Sequence, residues 1–479
     1  MDARKINLEH GLDYTKRLRV NYPDVNGRAD YVSFWFKKSH DLLKPNGRAG
    51  LVGTNSIRQN NTREASLDYI VQHGGTITEA ISSQVWSGEA AIHVSIVNWI
   101  KGTSNAKKRL SVQEGDSIDS PWKNYELDYI NTSLSTGFDV NGAKSLKANS
   151  QSPTCFEGQQ PGHEGFRITL TEYRQILQEA PAERDVIYHY LNGIDLLTGK
   201  WESEPAFIID FEDRDIFEAL RFKKAFQILE SKVLPDWKVN ADAEKTKTGK
   251  STGEHQNRLK TWWQLKRNRK TMLLSIEKSN RYIVCSRVTK RPIFEFVSKQ
   301  IRPDSSLSVF PLPDDYSFGI LQSGIHWEWF TAKCSTLTER FRYTSDTVFD
   351  TFPWPQSPTN RQIEKVAEAA VTLRQLRREI MTRHNWSLRE LYRTLETPGS
   401  NPLRTAQESL DRAVREAYNM PANAEILEFL LTLNLTLAAQ ESNNHPIQPP
   451  GLPTSYPTPE KLVTEDCIRV DNDKNQVAR

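Results

Sequence analysis

Apolar positions in the first hundred residues switch between the two periods that distinguish helix from strand. After a polar, charged start, residues 29–43 place Val32, Phe36, Ser39 and Leu43 on one helical face, and Pro45-Asn46-Gly47 stops that helix. Ala49-Gly50-Leu51-Val52-Gly53-Thr54-Asn55-Ser56 is a short apolar run ending in small polar residues, the pattern of a buried strand. A second amphipathic helix over 62–73 ends at Gly74-Gly75, and two strands follow at 76–82 and 91–99, the second alternating Ile92, Val94 and Ile96. A doubly wound α/β sheet finishes this way when its last strand runs antiparallel. The expected fold class is therefore α/β, with residues 1–102 forming the end of a Rossmann-like sheet.

Beyond that the pattern changes three times. Residues 103–149 are rich in Ser, Asn, Gly and Lys with little periodicity and read as a linker. A mixed α/β domain is expected over 150–356, with strands at 206–211, 282–288 and 293–297, ending in Thr351-Phe352-Pro353-Trp354-Pro355. Residues 357–440 are helical, with Leu373, Leu376, Ile380, Leu388, Leu391 and Leu395 supplying apolar faces. Residues 441–479 turn to Pro, Asn, Thr and charge and read as a disordered tail.

Charge sharpens this picture. The whole chain carries only +3, yet residues 245–302 hold sixteen Lys/Arg against three Asp/Glu. Such a run implies a polyanionic partner or a solvated face, and the interleaved Trp262, Trp263, Tyr282 and Phe294 favour nucleic acid. Mean hydropathy is −0.62 and no apolar run could span a bilayer, so no membrane partner is expected. Residues 1–20 lack a secretory apolar core, and Cys155, Cys285, Cys334 and Cys467 show neither disulfide-framework nor zinc spacing. Free thiols, no metal and a cytoplasmic location are the expectations.

Several motifs of nucleotide chemistry fail. Thr248-Gly249-Lys250-Ser251 imitates the end of a phosphate loop, but Glu244 stands where its first glycine belongs. No Gly-x-Gly turn occurs to cradle a dinucleotide or adenosylmethionine, and no Asn-Pro-Pro-aromatic motif to hold a flipped base.

Four blocks nevertheless carry a resemblance: Ala29-Asp30-Tyr31-Val32, the run from Gly50 through Ile57, Gly74-Gly75-Thr76-Ile77-Thr78-Glu79-Ala80, and Trp86-Ser87-Gly88-Glu89-Ala90-Ala91-Ile92 with the strand after it. In order and spacing they resemble the segment after the Asn-Pro-Pro-aromatic motif of MmeI-like restriction–modification methyltransferases. Phe207-Ile208-Ile209-Asp210-Phe211, Arg281-Tyr282-Ile283-Val284 and Phe341-Arg342-Tyr343-Thr344-Ser345 resemble that family's target-recognition domain. The resemblance implies a gamma-class adenine-N6 DNA methyltransferase using S-adenosylmethionine. It also implies that the cofactor loop and catalytic motif precede residue 1, supplied by a separately encoded N-terminal half, so that this chain alone binds no cofactor and is inactive.

The same resemblance assigns candidate residues. Trp86 falls where the family stacks an aromatic on the flipped base, or is a core Trp; Asn55 and Ser56 lie near the pocket, or only shape a turn. Thr338, Arg340 and Arg342 alternate, so a strand would present them on one face to read bases, arginine pairing bidentately with guanine. The alternative is a surface strand with ion-paired arginines. Arg287, Lys290 and Arg291 correspond to a second DNA-contacting segment, the last two suited to phosphates. Two functions remain open: the double-stranded-DNA-reading part of a methyltransferase, or a stand-alone DNA-binding module without chemistry.

Overall fold

The computed structural model describes residues 5–87, 92–115, 117–151, 154–337 and 340–469. They divide into two compact units, Met1–Gly142 with Ser335–Glu339, and Ala143–Cys334 with Arg340–Arg479. Both units are mixed α/β, and no helix among the described residues is long and apolar enough to cross a membrane.

The first unit is built on β1 (Arg48–Thr54), β2 (Gly75–Val85), β3 (His93–Lys101), β4 (Lys108–Gln113) and β5 (Trp122–Leu127), in the order β1-β3-β2-β4-β5. β3 lies antiparallel between β1 and β2, β4 is parallel to β2, and β5 closes antiparallel. The helix Val32–Leu42 packs Phe36 on Trp99 of β3, rings stacked at 5.7 Å. Its buried face is Ser33, Phe34, Phe36, Lys37 and His40. That is rotated from the expected face, because Lys37 is held inside by Asp24 at 2.9 Å and by the Tyr69 ring. The second helix contains a π-helical turn, Glu64–Asp68, and ends at Gly74, whose φ of +83° is left-handed. Gly75 follows because a Cβ there would lie 2.7 Å from the Ile70 carbonyl.

Residues 103–149, expected as a linker, instead carry β4 and β5, and Leu110 joins the core with Ile77, Ala80 and Val97. The polar composition misled because β5 is an edge strand with no fully buried position. Further on, the Asn434 side chain holds the Lys144 backbone at both N and O, each at 2.8 Å.

In the second unit the strands are β6 (Phe156–Glu157), β7 (Arg167–Ile168), β8 (Ile187–Leu191), β9 (Ala206–Ile209), β10 (Arg281–Ser286), β11 (Val288–Thr289), β12 (Phe294–Ser298), β13 (Ile301–Pro303) and β14 (Leu307–Phe310). Two four-stranded sheets result, β12-β10-β14-β6 and β13-β8-β9-β7. One short strand of this unit, β16 (Arg340–Arg342), comes later, and β15 (Ser335–Leu337) before it belongs to the first unit. Every residue of β10 is buried, as a central strand covered on both faces requires.

Helices Asn360–His384, Leu388–Arg393, Pro402–Ala417 and Ile426–Ser442 belong to this same unit rather than to a layer of their own. Leu373, Leu388 and Leu391 are buried, and so is Arg377, whose Nη1 donates to the Phe294 carbonyl and pairs with Glu295, both at 3.0 Å. Ion pairing is what lets a helix designed for a surface sit on the sheet.

The expected disordered tail is also corrected, as far as residue 469. Tyr456, Leu462 and Ile468 are buried, and Ile468 adds a parallel bridge to Val297 at the edge of β12. Asp466 accepts from Arg374 Nε at 2.8 Å and stands 3.3 Å from Arg281 Nη1. Burial would raise its pKa, but hydrogen bonds from Arg374 and Thr464 and the charge of Arg281 hold it well below the usual carboxylate range.

Candidate nucleic-acid interface

Two segments more than fifty residues apart in sequence meet here as one antiparallel ladder. β10 runs on through Arg287 into β11, which pairs with β16 in the register Val288↔Arg342 and Thr289↔Phe341. The Tyr343 backbone N–H then donates to the Arg287 carbonyl at 2.8 Å.

Aromatic packing fixes which side of β16 faces inward. Phe341 packs edge-on against Trp327 at 5.5 Å and against Phe330 at 6.0 Å. Tyr343 is buried two residues on. His326 Nδ1 stands 2.7 Å from the Leu321 carbonyl, which can only accept, so Nδ1 carries the proton. Nε2 therefore accepts from the Tyr343 hydroxyl at 3.0 Å. Burial lowers His326 to about 4, so this tautomer persists at neutral pH. With Phe341 and its neighbours anchored, Arg342 is left exposed across from Val288.

The expected DNA-contacting residues are thus partly gathered. Arg340 and Arg342 lie in β16, and Lys290 and Arg291 follow β11 directly, both exposed. Thr338 lies outside the described residues. The turn carrying Lys290 and Arg291 is built by Thr289, whose buried hydroxyl accepts from Arg291 N at 3.1 Å and donates to Arg291 O. Thr289 escaped sequence reasoning, although a Thr two residues before the end of a turn is a recognised local clamp. Arg287 differs from its neighbours. Its guanidinium pairs with Glu157 and donates to the Ser305 carbonyl at 2.9 Å.

Other expected nucleic-acid signals turn out to be core. Trp262, Trp263, Tyr282 and Phe294 are all buried, so their interleaving with Lys and Arg reflects alternation in and out of the fold. Much of the local positive charge is met by acids from elsewhere in the chain: Lys270 pairs with Asp213, Arg281 with Asp315 and Arg302 with Glu212. Gly249 of the phosphate-loop look-alike is the left-handed stop of the helix Leu234–Thr248.

In the first unit, Trp86 follows β2 and is 41% exposed. Asn55 opens a 3₁₀ turn at the end of β1; its Nδ2 donates to Ser83 Oγ at 2.8 Å and its Oδ1 lies 3.0 Å from the Ser95 hydroxyl. Ser56 and Thr54 bond each other at 2.7 Å. Asn55 is thus engaged with β2 and β3 and Ser56 with Thr54, so these side chains do not present a converging donor set that fits an adenosylmethionine cradle. Arg58, in the same turn and unmarked in the sequence reading, donates Nη1 to Ser82 Oγ at 3.1 Å while its Nε lacks a partner among the described residues. Burial lowers its pKa.

Residues 8–112 match the family model for the MmeI DNA-methyltransferase domain, and residues 140–356 match the model for the MmeI target recognition domain. DNA methyltransferase A of Bacillus subtilis (strain 168) is 24% identical over 455 residues, covering 90% of this chain and 46% of its own length. The solved structure of the type IIL restriction–modification enzyme MmeI in complex with DNA aligns with a TM-score of 0.68 at 21% identity, covering 87% of this chain and 53% of that one. The chain therefore spans about half the length of these relatives. With two domains of one family matched in order along a single polypeptide, the chain belongs to the MmeI-like DNA methyltransferase family.

Proposed function

We propose that this chain binds double-stranded DNA and reads its sequence as the recognition part of a site-specific adenine-N6 DNA methyltransferase of a restriction–modification system, acting in the cytoplasm. The observation that carries this is the β11–β16 ladder, which joins the two arginine-bearing segments inside the region matched by the target-recognition model. Arg340 and Arg342 read base edges, while Lys290 and Arg291 engage phosphates. The first sheet is read as the end of a Rossmann-like methyltransferase sheet, and Trp86 as the ring that stacks on the extruded adenine.

Methyl transfer needs S-adenosylmethionine and an Asn-Pro-Pro-aromatic motif, and neither that motif nor a Gly-x-Gly turn is among these 479 residues. Those groups come from other sequence, and this chain supplies specificity. The spent hydrogen bonds of Asn55, Ser56 and Thr54 favour a second reading for the chain by itself, a DNA-binding module without chemistry.

Fluorescence anisotropy with duplex DNA across a salt series tests the proposal. Neutralising six or more phosphates predicts a loss of about 10³-fold or more between roughly 50 and 200 mM salt. Binding that is absent or indifferent to salt refutes it. Calorimetry should detect no adenosylmethionine binding; micromolar affinity would overturn the assignment of the cofactor site to other sequence.

A further inference from the structure

Three arginines of the basic segment converge on one carboxylate. Glu157 lies on β6, opposite Ser308 of β14. Its Oε1 accepts from Arg287 Nη1, its Oε2 accepts from Arg269 Nη2, and Arg267 Nη1 stands 3.8 Å from that same Oε2. The backbone holds these segments together, since Gln160 and Arg267 exchange N–H···O bonds of 3.0 Å in both directions. The convergence is part of the fold rather than a chance meeting of long side chains.

One carboxylate cannot satisfy three guanidiniums, each of which carries five N–H donors. Besides Glu157, Arg287 Nη1 reaches the Ser305 carbonyl at 2.9 Å and Arg269 Nε the Gly158 carbonyl at 3.4 Å. Nη2 of Arg287, Nη1 of Arg269 and Nη2 of Arg267 have no acceptor among the described residues. Burial and the like charges of Arg267 and Arg287 outweigh the pull of Glu157 and lower the Arg269 pKa. Such a site is short of negative charge.

Arg269 also has φ 60° and ψ 44°, a left-handed conformation at a helix N-cap. A residue with a long side chain is strained there, and Gly or Asn would sit there more easily. The cluster adjoins the ladder through Arg287, whose carbonyl receives the Tyr343 N–H.

We propose that Arg267, Arg269 and Arg287, gathered by Glu157, clamp a backbone phosphate of the DNA and so set the register of the duplex against the β11–β16 ladder. The inference rests on the DNA-binding reading above. Guanidinium forks suit phosphate oxygens bidentately, and contacts of this kind position a protein without specifying sequence.

Two variants of the full chain test it, each measured by anisotropy on several unrelated duplexes across a salt series and by thermal melting. Arg269→Asn removes the cation but suits the left-handed N-cap, so its melting temperature should equal or exceed that of the parent. Arg267→Gln alters a side chain that is 55% exposed, so the fold should not notice. Both should weaken binding by the same factor on every duplex and make the slope of log K against log salt shallower by about 1. If the parent binds and both variants bind identically to it, the clamp is wrong while the DNA-binding reading stands. If Arg269→Asn melts lower and binds DNA unchanged, the cluster is only an internal brace. If the parent itself does not bind DNA, both readings fall.

Discussion

Replacing Asp466 by Asn removes the charge that fastens the C-terminal strap to the recognition unit. Arg281 and Arg374 are buried and share two carboxylates, Asp315 and Asp466, which balance them, while the exposed Arg378 is a third partner of Asp466 at 3.0 Å. The variant leaves one buried cation uncompensated. Breaking a fully buried pair costs about 3–5 kcal/mol. Asp466 is 16% exposed and Asp315 remains, which brings the figure down to about 2–3 kcal/mol. At roughly 2.1 cal/mol/K of unfolding entropy per residue, a unit of about 320 residues loses about 3–4 °C in its melting temperature. The pH dependence has a definite sign. A carboxyl whose folded pKa lies below its unfolded one stabilises above about pH 4, and that contribution fades as pH falls toward the folded value. Parent and variant should therefore differ fully at pH 7 and less at pH 3 in calorimetry. Limited proteolysis should cut the variant sooner between residues 445 and 469. Equal melting at pH 7, with the strap equally protected, refutes the view that Asp466 anchors it.

Other changes probe the interface. Arg340→Ala should relax base preference at one position of the target and cost about 1–3 kcal/mol there, read by competition between single-base variants of the site; a uniform loss on all sequences makes it a phosphate contact. Thr289→Val should free the Lys290–Arg291 turn and weaken DNA binding while costing about 1 kcal/mol or less in stability, with Thr289→Ser restoring affinity; unchanged affinity removes Thr289 from the site. Asp350, pushed up to about 6 by burial and by Asp346, binds its proton more tightly folded than unfolded, so it destabilises as pH rises from about 4 through 6. Asp350→Asn should thus melt higher than the parent at pH 7.5 and equally at pH 4, and a pH-independent difference contradicts that environment.

The strands visible in sequence were those long enough to show their period. The runs at 49–56, 206–211, 282–288 and 293–297 meet β1, β9, β10 and β12, strands of four to seven residues; β9, β10 and β12 are mostly buried, whereas β1, expected to be buried, lies at the edge of its sheet and buries only Gly53. β11 and β16, at two and three residues, leave no such run, and their pairing depends on Trp327 and Phe330 receiving Phe341. Composition also cannot tell a buried ring from a stacking platform, which is why Trp262 and Tyr282, interleaved with Lys and Arg, favour nucleic acid in the sequence and yet are core in the fold. The tail looks disordered in sequence because its anchoring uses few residues, Thr464, Asp466 and Ile468, whose partners lie from 92 to 183 positions away. The single Glu157 that gathers three arginines was invisible for the same reason: charge balance is settled in space, not along the chain.

Sequence-selective DNA binding by this chain is the property to measure most directly. Purified protein should be used to select duplexes from a fully randomised library at physiological salt, followed by sequencing. One short motif should be enriched, and Arg340→Ala should degrade that enrichment at a single position. Retention of DNA without any enriched motif contradicts the recognition function assigned to the β11–β16 ladder.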